Sequence, residues 1–407
     1  MTEASLHSVA GPGGVTEAAV LAATHPALVG PFERIVARVS GAAELLEDAA
    51  QGLPTGPAQA EGIAVRLRRR GVALRWEEPD RLSEPRELLE LCRARGRSSV
   101  ELMRNDPGLL TELQLGAWCQ AGFRHRLARR APLPRRGRVA LLRAAAERAF
   151  WSGVRSAATR PEWRSLTASY CALVYHRLAG EGKAGQDRID LSPRRFSAQL
   201  RLLRILGFRP LEARKLLAFH DGEGSLPRRS FVVTVDDGTA DCEEPLARHA
   251  DVAPQLFVCT SEVGGSAHWL DGEPLLGWTE LEQLARCGVA VGAHARTHRA
   301  LVAVGPSELG GEVAGSLTDL RARIPDAVPI LAYPHGSHDE AVRAAAIAAG
   351  FRAAWTTEKG RNGVGTDRWC LRRISVHAGD GPVAVLWMVV TGEPPPWREV
   401  RLPRWRS

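Results

Sequence analysis

The chain has no C-x-x-C pair. Its 7 cysteines, Cys92, Cys119, Cys171, Cys242, Cys259, Cys287 and Cys370, are scattered and odd in number. That pattern argues against a disulfide framework and fits a reducing compartment. Long apolar runs are also missing. The best, Val383 to Val390, falls far short of the roughly 18 residues that read as a membrane span. Met1 to Gly14 shows no basic region followed by an apolar core, so it does not read as a secretory leader. Zinc-finger and RNA-binding signatures are absent, as are Walker and G-x-G-x-x-G sequences. No nucleic-acid partner and no common nucleotide loop is therefore expected. The chain reads as cytoplasmic.

What is present begins with length. At 407 residues the chain exceeds one ordinary core, so two domains are expected. Hydrophobic residues at 44% and charged residues at 25% are those of a globular protein. The net charge of +8 is carried almost wholly by arginine. It suits an anionic polymer or surface, but a GC-rich genome gives the same arginine usage. Aromatics are few, yet 11 of them are Trp. Tryptophan serves sugar-handling surfaces and packed cores alike.

Residues 1–165 read as mainly helical. Pro31 to Ala49 is a candidate helix, Gly62 to Arg70 a short amphipathic one, and Val72 to Trp76 alternates as a strand. Helical patterns follow at Glu84 to Arg95 and Ser99 to Arg104. Arg124 to Arg148 holds nine arginines against the single acid Glu147, with Leu133, Val139, Leu141 and Leu142 interleaved. Such a stretch suits peripheral contact with an anionic membrane, a solvated surface helix, or a helix docked on the second domain.

From residue 166 to 395 the texture changes. Apolar strand candidates at Tyr170–Tyr175, Phe231–Val235, Gln255–Cys259, Val289–Val291, Pro329–Ala332, Ala353–Trp355 and Arg373–Val376 alternate with helical stretches. This alternation predicts a parallel α/β sheet or barrel. A basic tail, 396–407, closes the chain. In such folds chemistry gathers at the strand C-termini. There stand Asp236 and Asp237, then His294 and His298 four residues apart, then Tyr333-Pro-His335. Two imidazoles on a helical turn and a carboxylate from a neighbouring strand form a His/His/Asp set with open positions, as in catalytic metal sites. The second carboxylate is free to take a proton.

These residues resemble the motifs of the polysaccharide deacetylase family. Thr234-Val-Asp-Asp-Gly238 is similar to its T-F-D-D-G, His294-Ala-Arg-Thr-His298 to its H-[ST]-x-x-H, and Leu331-Ala-Tyr-Pro-His-Gly336 to an A-Y-P-x-G variant of its third motif. Val174-Tyr-His-Arg-Leu178, Leu276-Gly-Trp278 and Gly350 to Ala354 extend the likeness over residues 169–392. The resemblance implies a distorted (β/α) barrel, one divalent ion, commonly zinc, and hydrolysis of N-acetyl, less commonly O-acetyl, groups on a polysaccharide or oligosaccharide. It implies Asp236 as general base and Asp237, His294 and His298 as metal ligands. The backbone N–H of Tyr333 becomes an oxyanion donor, and Trp278, Tyr333, Pro334 and His335 line the substrate site. His377 is the candidate acid, with His335 as a rival. His176 is as readily a packed imidazole as a site residue. Asp367-Arg-Trp369 partly resembles a fourth motif and would bring a carboxylate behind the site.

The pattern departs from the family at Ala295, where a hydroxyl is usual, and at Leu331-Ala332, where an arginine that orients the base is usual. A protein that binds carbohydrate on the same barrel without turning it over is the alternative reading. Residues 30–115, through Gly62 to Trp76 and Gly96 to Arg104, resemble the C-terminal end of a family 2 glycosyltransferase. Gln59-Ala60 replaces that family's Glu-Asp, so a remnant rather than a working transferase is expected.

Overall fold

The computed structural model describes residues 7–8, 17–23, 35–41, 51, 63, 66–67, 70, 73–77, 85–110, 113, 115–118, 138–179 and 189–398. The chain divides into two units, Met1–Thr167 and Ala168–Ser407.

In the first unit, strands β1 (His7–Ser8), β2 (Glu17–Ala23), β3 (Ile35–Gly41) and β4 (Ala73–Glu77) form a sheet in the order β1-β3-β2-β4. β3 lies inside the stretch expected to be a helix, Pro31 to Ala49. Its Ile35, Val36 and Val39 are β-branched and favour the extended chain. Helices α1 (Pro85–Asn105), α2 (Arg138–Ala157) and α3 (Arg160–Thr167) accompany the sheet. The two helical patterns read around Gly96 are one helix. Gly96 sits where α1 meets α2, and a Cβ there would lie 2.1 Å from the Phe150 carbonyl oxygen. α3 opens with a capping box: the Thr159 N–H donates to Glu162 Oε2 (2.7 Å) and the Glu162 N–H to Thr159 Oγ1 (3.4 Å). Arg104 binds the same carboxylate at 2.7 Å and is the main cause that holds Glu162 down at about 2. Residues 124–137 of the arginine-rich stretch lie outside the described residues, and with them most of the segment behind the membrane reading. Among the described residues no helix is long and apolar enough to cross a membrane.

In the second unit the strands are β5 (Ser169–Tyr175), β6 (Arg209–Pro210), β7 (Ser230–Val235), β8 (Gln255–Val258), β9 (Ser266–Ala267), β10 (Glu273–Pro274), β11 (Ala290–Ala293), β12 (Ile330–Ala332), β13 (Ala353–Trp355), β14 (Asn362–Gly363) and β15 (Ile374–Ser375). The helices are α4 (Pro193–Ile205), α5 (Ala213–His220), α6 (Glu243–Arg248), α7 (Trp278–Arg286), α8 (Pro306–Arg323), α9 (Glu340–Ala348) and α10 (Pro382–Thr391). Ser192 caps α4 ahead of Pro193, and Asp339 caps α9.

The main sheet runs β13-β12-β11-β8-β7-β5 with every neighbour parallel. β14 adds an antiparallel edge to β5, so the sheet is mixed. The ring closes through residues 371–375. Leu371 exchanges hydrogen bonds with Ala354 and Thr356 beside β13, and β15 pairs with β5. The result is a distorted (β/α) barrel.

Strand alternation sorts the side chains into two cores. Tyr170, Ala172, Val232, Phe257, Ile330, Ala332, Ala353, Trp355 and Leu371 pack together with α5. The alternate residues, among them Cys171, Leu173, Val233, Val235, Leu331 and Tyr333, pack with residues of α4 and α6 to α10. At the start of β5, Tyr170 Oη and His220 Nε2 of α5 lie 2.9 Å apart. Toward the other end the inward positions become polar: Thr234, Asp236, His294 and Arg373 are all buried.

Candidate metal centre and carboxylate pair

β7 runs out at Val235, and Asp236 is still held as a strand residue, its N–H donating to the Tyr175 carbonyl (3.0 Å). The chain then turns through two left-handed residues, Asp237 (φ 71°) and Gly238 (φ 77°). A Cβ at Gly238 would lie 2.6 Å from Val258 Cγ1, so the Asp-Asp-Gly turn needs its glycine. This turn gives the two carboxylates different partners.

Asp236 faces Arg373. The guanidinium Nη1 donates to Asp236 Oδ1 at 2.7 Å and to Thr234 Oγ1 at 3.2 Å, while Nε donates to the Thr356 carbonyl at 3.1 Å. The arginine usual before the third motif is absent here, and the one that meets Asp236 comes from the segment that closes the barrel, just before β15. Burial by itself would raise the Asp236 carboxyl, but Arg373 and the neighbouring imidazoles hold it below the usual range.

Asp237 faces two histidines. Its Oδ1 lies 3.1 Å from His298 Nε2 and 3.7 Å from His294 Nε2, and this buried oxygen accepts no hydrogen bond. The His294 ring donates from Nδ1 to the Ala332 carbonyl (2.7 Å), which leaves Nε2 as a lone-pair donor. Burial pushes His294 down to about 4, so it is neutral near pH 7. Burial would raise Asp237, but His298, His294 and His176 around it keep it well below its ordinary value. Donor atoms of Asp237, His294 and His298 all lie within 4.8 Å of one another. A tetrahedral zinc ion with bonds of about 2.0–2.1 Å would space neighbouring donors by about 3.3–3.4 Å. The orphaned carboxylate oxygen, the oriented imidazole and these spacings fit a divalent ion.

His294 and His298 do not share a helical face, as their spacing suggested. The segment after β11 is a non-helical turn with Ala295 (φ 60°) and His298 (φ 59°) in the left-handed region. Glu312 of α8 holds it: its carboxylate accepts from the N–H groups of Arg296 and Thr297 (3.2 Å each) and from Thr297 Oγ1 (2.7 Å). Arg296 in turn pairs with Asp319 one helical stretch further on. Glu312 was visible in the sequence only as an acid on the apolar stripe of a helix, between Leu309 and Val313.

The other expected site residues divide. Pro334 is buried, and His335 is exposed beside the aspartate–histidine cluster, its ring 4.7 Å from that of His298. His176 follows β5, and its Nδ1 is buried without a partner. His377 follows β15, half-buried, with its N–H donating to Asp380 Oδ2 (2.7 Å). Tyr333 turns away: its N–H donates to the Trp355 carbonyl (3.1 Å), and its ring belongs to the outer core, stacked on His338. An oxyanion could be served by that N–H only at the expense of a sheet hydrogen bond. Trp278 opens α7 and packs on the outer core, under the Arg323 guanidinium. Asp367 is exposed and pairs with Arg343. The tryptophan that does reach the site is Trp269, from the β9–β10 hairpin, stacked on His298 with ring centres 4.2 Å apart.

Asp236, Asp237, His294 and His298 thus gather where the strands of the barrel end, the place where such folds carry their sites. Within the second unit, residues 223–354 match the family model described as polysaccharide deacetylase. That span includes Asp236, Asp237, His294 and His298 and ends before Arg373 and His377. Residues 30–115 lie outside it, and the glycosyltransferase likeness read there gains no support. Among the curated proteins none matches this chain.

Three solved structures illustrate the structural similarity. The deacetylase PplD of Streptococcus pyogenes, in complex with acetate, is 18% identical, with 56% of this chain and 99% of that one covered at a TM-score of 0.48. IcaB from Ammonifex degensii is 20% identical, with 54% and 97% covered at 0.47. BC0361, a polysaccharide deacetylase from Bacillus cereus, is 21% identical, with 53% and 67% covered at 0.45.

Proposed function

We propose that the second unit removes acetyl groups from an acetylated polysaccharide or oligosaccharide, acting on N-acetyl in preference to O-acetyl, with a divalent ion, zinc, held by Asp237, His294 and His298. The observation that carries this reading is the division of labour between adjacent aspartates. One is neutralised by a buried arginine, and the other presents an orphaned oxygen to two imidazoles.

When bound, the ion supplies Lewis acidity toward the acetyl carbonyl and makes a water easier to deprotonate. The rest falls to the chain. Arg373 occupies Asp236 Oδ1 and keeps the carboxylate ionised, and Asp236 takes the proton of the attacking water. His294, neutral and fixed by Ala332, keeps its Nε2 lone pair turned to the cluster. His377 gives a proton to the leaving amine, so that acetate and a free amino sugar depart. His335 and Pro334 border the sugar.

The test pairs metal content with acetate release. The purified protein is expected to hold near-stoichiometric zinc, which a His294→Ala/His298→Ala variant lacks. Asp236→Asn is expected to keep the metal and lose acetate release from N-acetylglucosamine polymers. Equal and negligible metal in both proteins after soaking in zinc would overturn the reading.

A further inference from the structure

We infer that Trp269 is a positioning residue for His298: the indole holds a ligand imidazole in a conformation its backbone does not favour. This rests on the metal reading of Asp237, His294 and His298.

His298 is one of seven non-glycine residues with positive φ among the described residues. A residue in the left-handed region is held there by its surroundings rather than by its own preference. Glu312 grips the residue just before His298, Thr297, and its bonds fix the backbone only as far as that position. Among the described residues no backbone carbonyl accepts from the far side of the His298 ring as that of Ala332 does from His294; the polar contact of His298 is at Nε2, 3.1 Å from Asp237 Oδ1. The ring contacts are aromatic: Trp269 stacks nearly parallel, 15° at 4.2 Å, while His335 meets it at 63° and 4.7 Å and His294 at 56° and 5.0 Å. The parallel indole is the contact that sets the plane of the imidazole, and so the direction of Nε2 toward Asp237 Oδ1.

A positioning surface must itself be fixed, and the β9–β10 hairpin is. Ser266–Ala267 pairs with Glu273–Pro274, and the N–H groups of Leu270 and Gly272 both donate to the Ala267 carbonyl. Glu273 forms an ion pair with the buried Arg177 guanidinium at 3.1 Å, which also binds Asp241. Beyond the hairpin, the Leu276 N–H donates to the Gly238 carbonyl at 2.9 Å, and Thr239 bridges to Leu275. Trp269 is therefore tied to the very turn that carries Asp237. The ligand carboxylate and the indole behind the ligand imidazole share one support.

The experiment compares wild type with Trp269→Leu, which keeps apolar bulk without a ring, and Trp269→Phe, which keeps a ring. Zinc dissociation constants come from competition with a chelating dye, and the absorption spectrum of the cobalt-loaded protein reports ligand geometry. The Leu variant is expected to bind zinc about tenfold more weakly, the order of loss seen when a ligand's supporting partner is removed. Its cobalt spectrum is expected to change, while the Phe variant restores both. Both sit on a surface hairpin, and the thermal midpoint of the metal-free protein serves as the folding control. A Leu variant with wild-type zinc affinity and cobalt spectrum overturns the proposal. So does a variant in which only KM rises, because Trp269 would then be a sugar platform. Failure of the wild type to bind zinc sinks the metal reading itself, and this inference with it.

Discussion

Arg373 Nη1 and Asp236 Oδ1 meet at 2.7 Å inside the barrel, with the guanidinium wholly buried and the carboxylate nearly so. The partners are 137 residues apart in the chain. A buried pair of this kind is costly to halve, since removing one member strands the other.

Arg373→Met is therefore expected to destabilise the second unit by about 3–5 kcal/mol, read from the denaturant midpoint. The carboxyl of Asp236, relieved of its cation, rises toward what burial alone dictates. The acidic limb of the pH profile for acetate release then moves to higher pH. An unchanged limb in a folded variant would separate Arg373 from the base.

Asp237→Asn keeps the size of the side chain and removes its charge. Zinc content by atomic emission is expected to fall to background, and the rise in thermal midpoint that zinc gives the metal-free wild type should vanish. Retention of stoichiometric zinc would show that the orphaned oxygen is not a ligand atom.

Glu312→Gln offers one carbonyl oxygen where the carboxylate offered two. The turn bearing His298 loses a charge-assisted clamp. Zinc affinity is expected to drop about 10-fold or more with little change in the melting of the metal-free protein. Equal affinity would assign Glu312 to folding alone.

His220 gives a pH prediction away from the metal. Burial, chiefly, pushes its imidazole down to about 4 from an ordinary 6.5. The unfolded chain takes up the proton first, so stability is whole above pH 6.5, declines as pH falls from 6.5 to 4, and levels off below. The loss is at most about 3 kcal/mol. His294 contributes in the same direction. His220→Gln keeps a partner for Tyr170 and is expected to flatten part of the slope in urea midpoints measured between pH 7.5 and 4.5. An identical slope would acquit His220.

The sequence showed those features whose signals are local. Strands such as Phe231–Val235 and the acids and imidazoles at strand ends are each written in a few consecutive residues. Alternation and helix direction decide where two of the expected residues pack. Tyr333 shares the outward parity of Leu331, so its ring joins the outer core; Trp278 opens a helix that leans on that core. Arg373, Glu312 and Trp269 were illegible for a different reason. Each reaches the site through a long-range closure: the seam of the barrel, a helix packed under a turn, a hairpin tied to another loop. No spacing rule encodes such meetings. The helix expected at Pro31 to Ala49 yielded to β-branched residues and a sheet partner, a tertiary override of a weak pattern.

The seam at residues 371–375 lends the protein an order in time. Asp236, Asp237, His294 and His298 all precede it on the chain, so a nascent polypeptide emerging N-terminus first displays the whole cluster before the guanidinium that pairs with Asp236. Until that last segment slots between β13 and β5, the carboxylate of Asp236 has no cation beside it. A chain shortened to end before Leu371 would keep both aspartates and both histidines but lose the strand pairing on β5 and the cation at Asp236, so the same few residues complete the fold and set the charge balance at its centre.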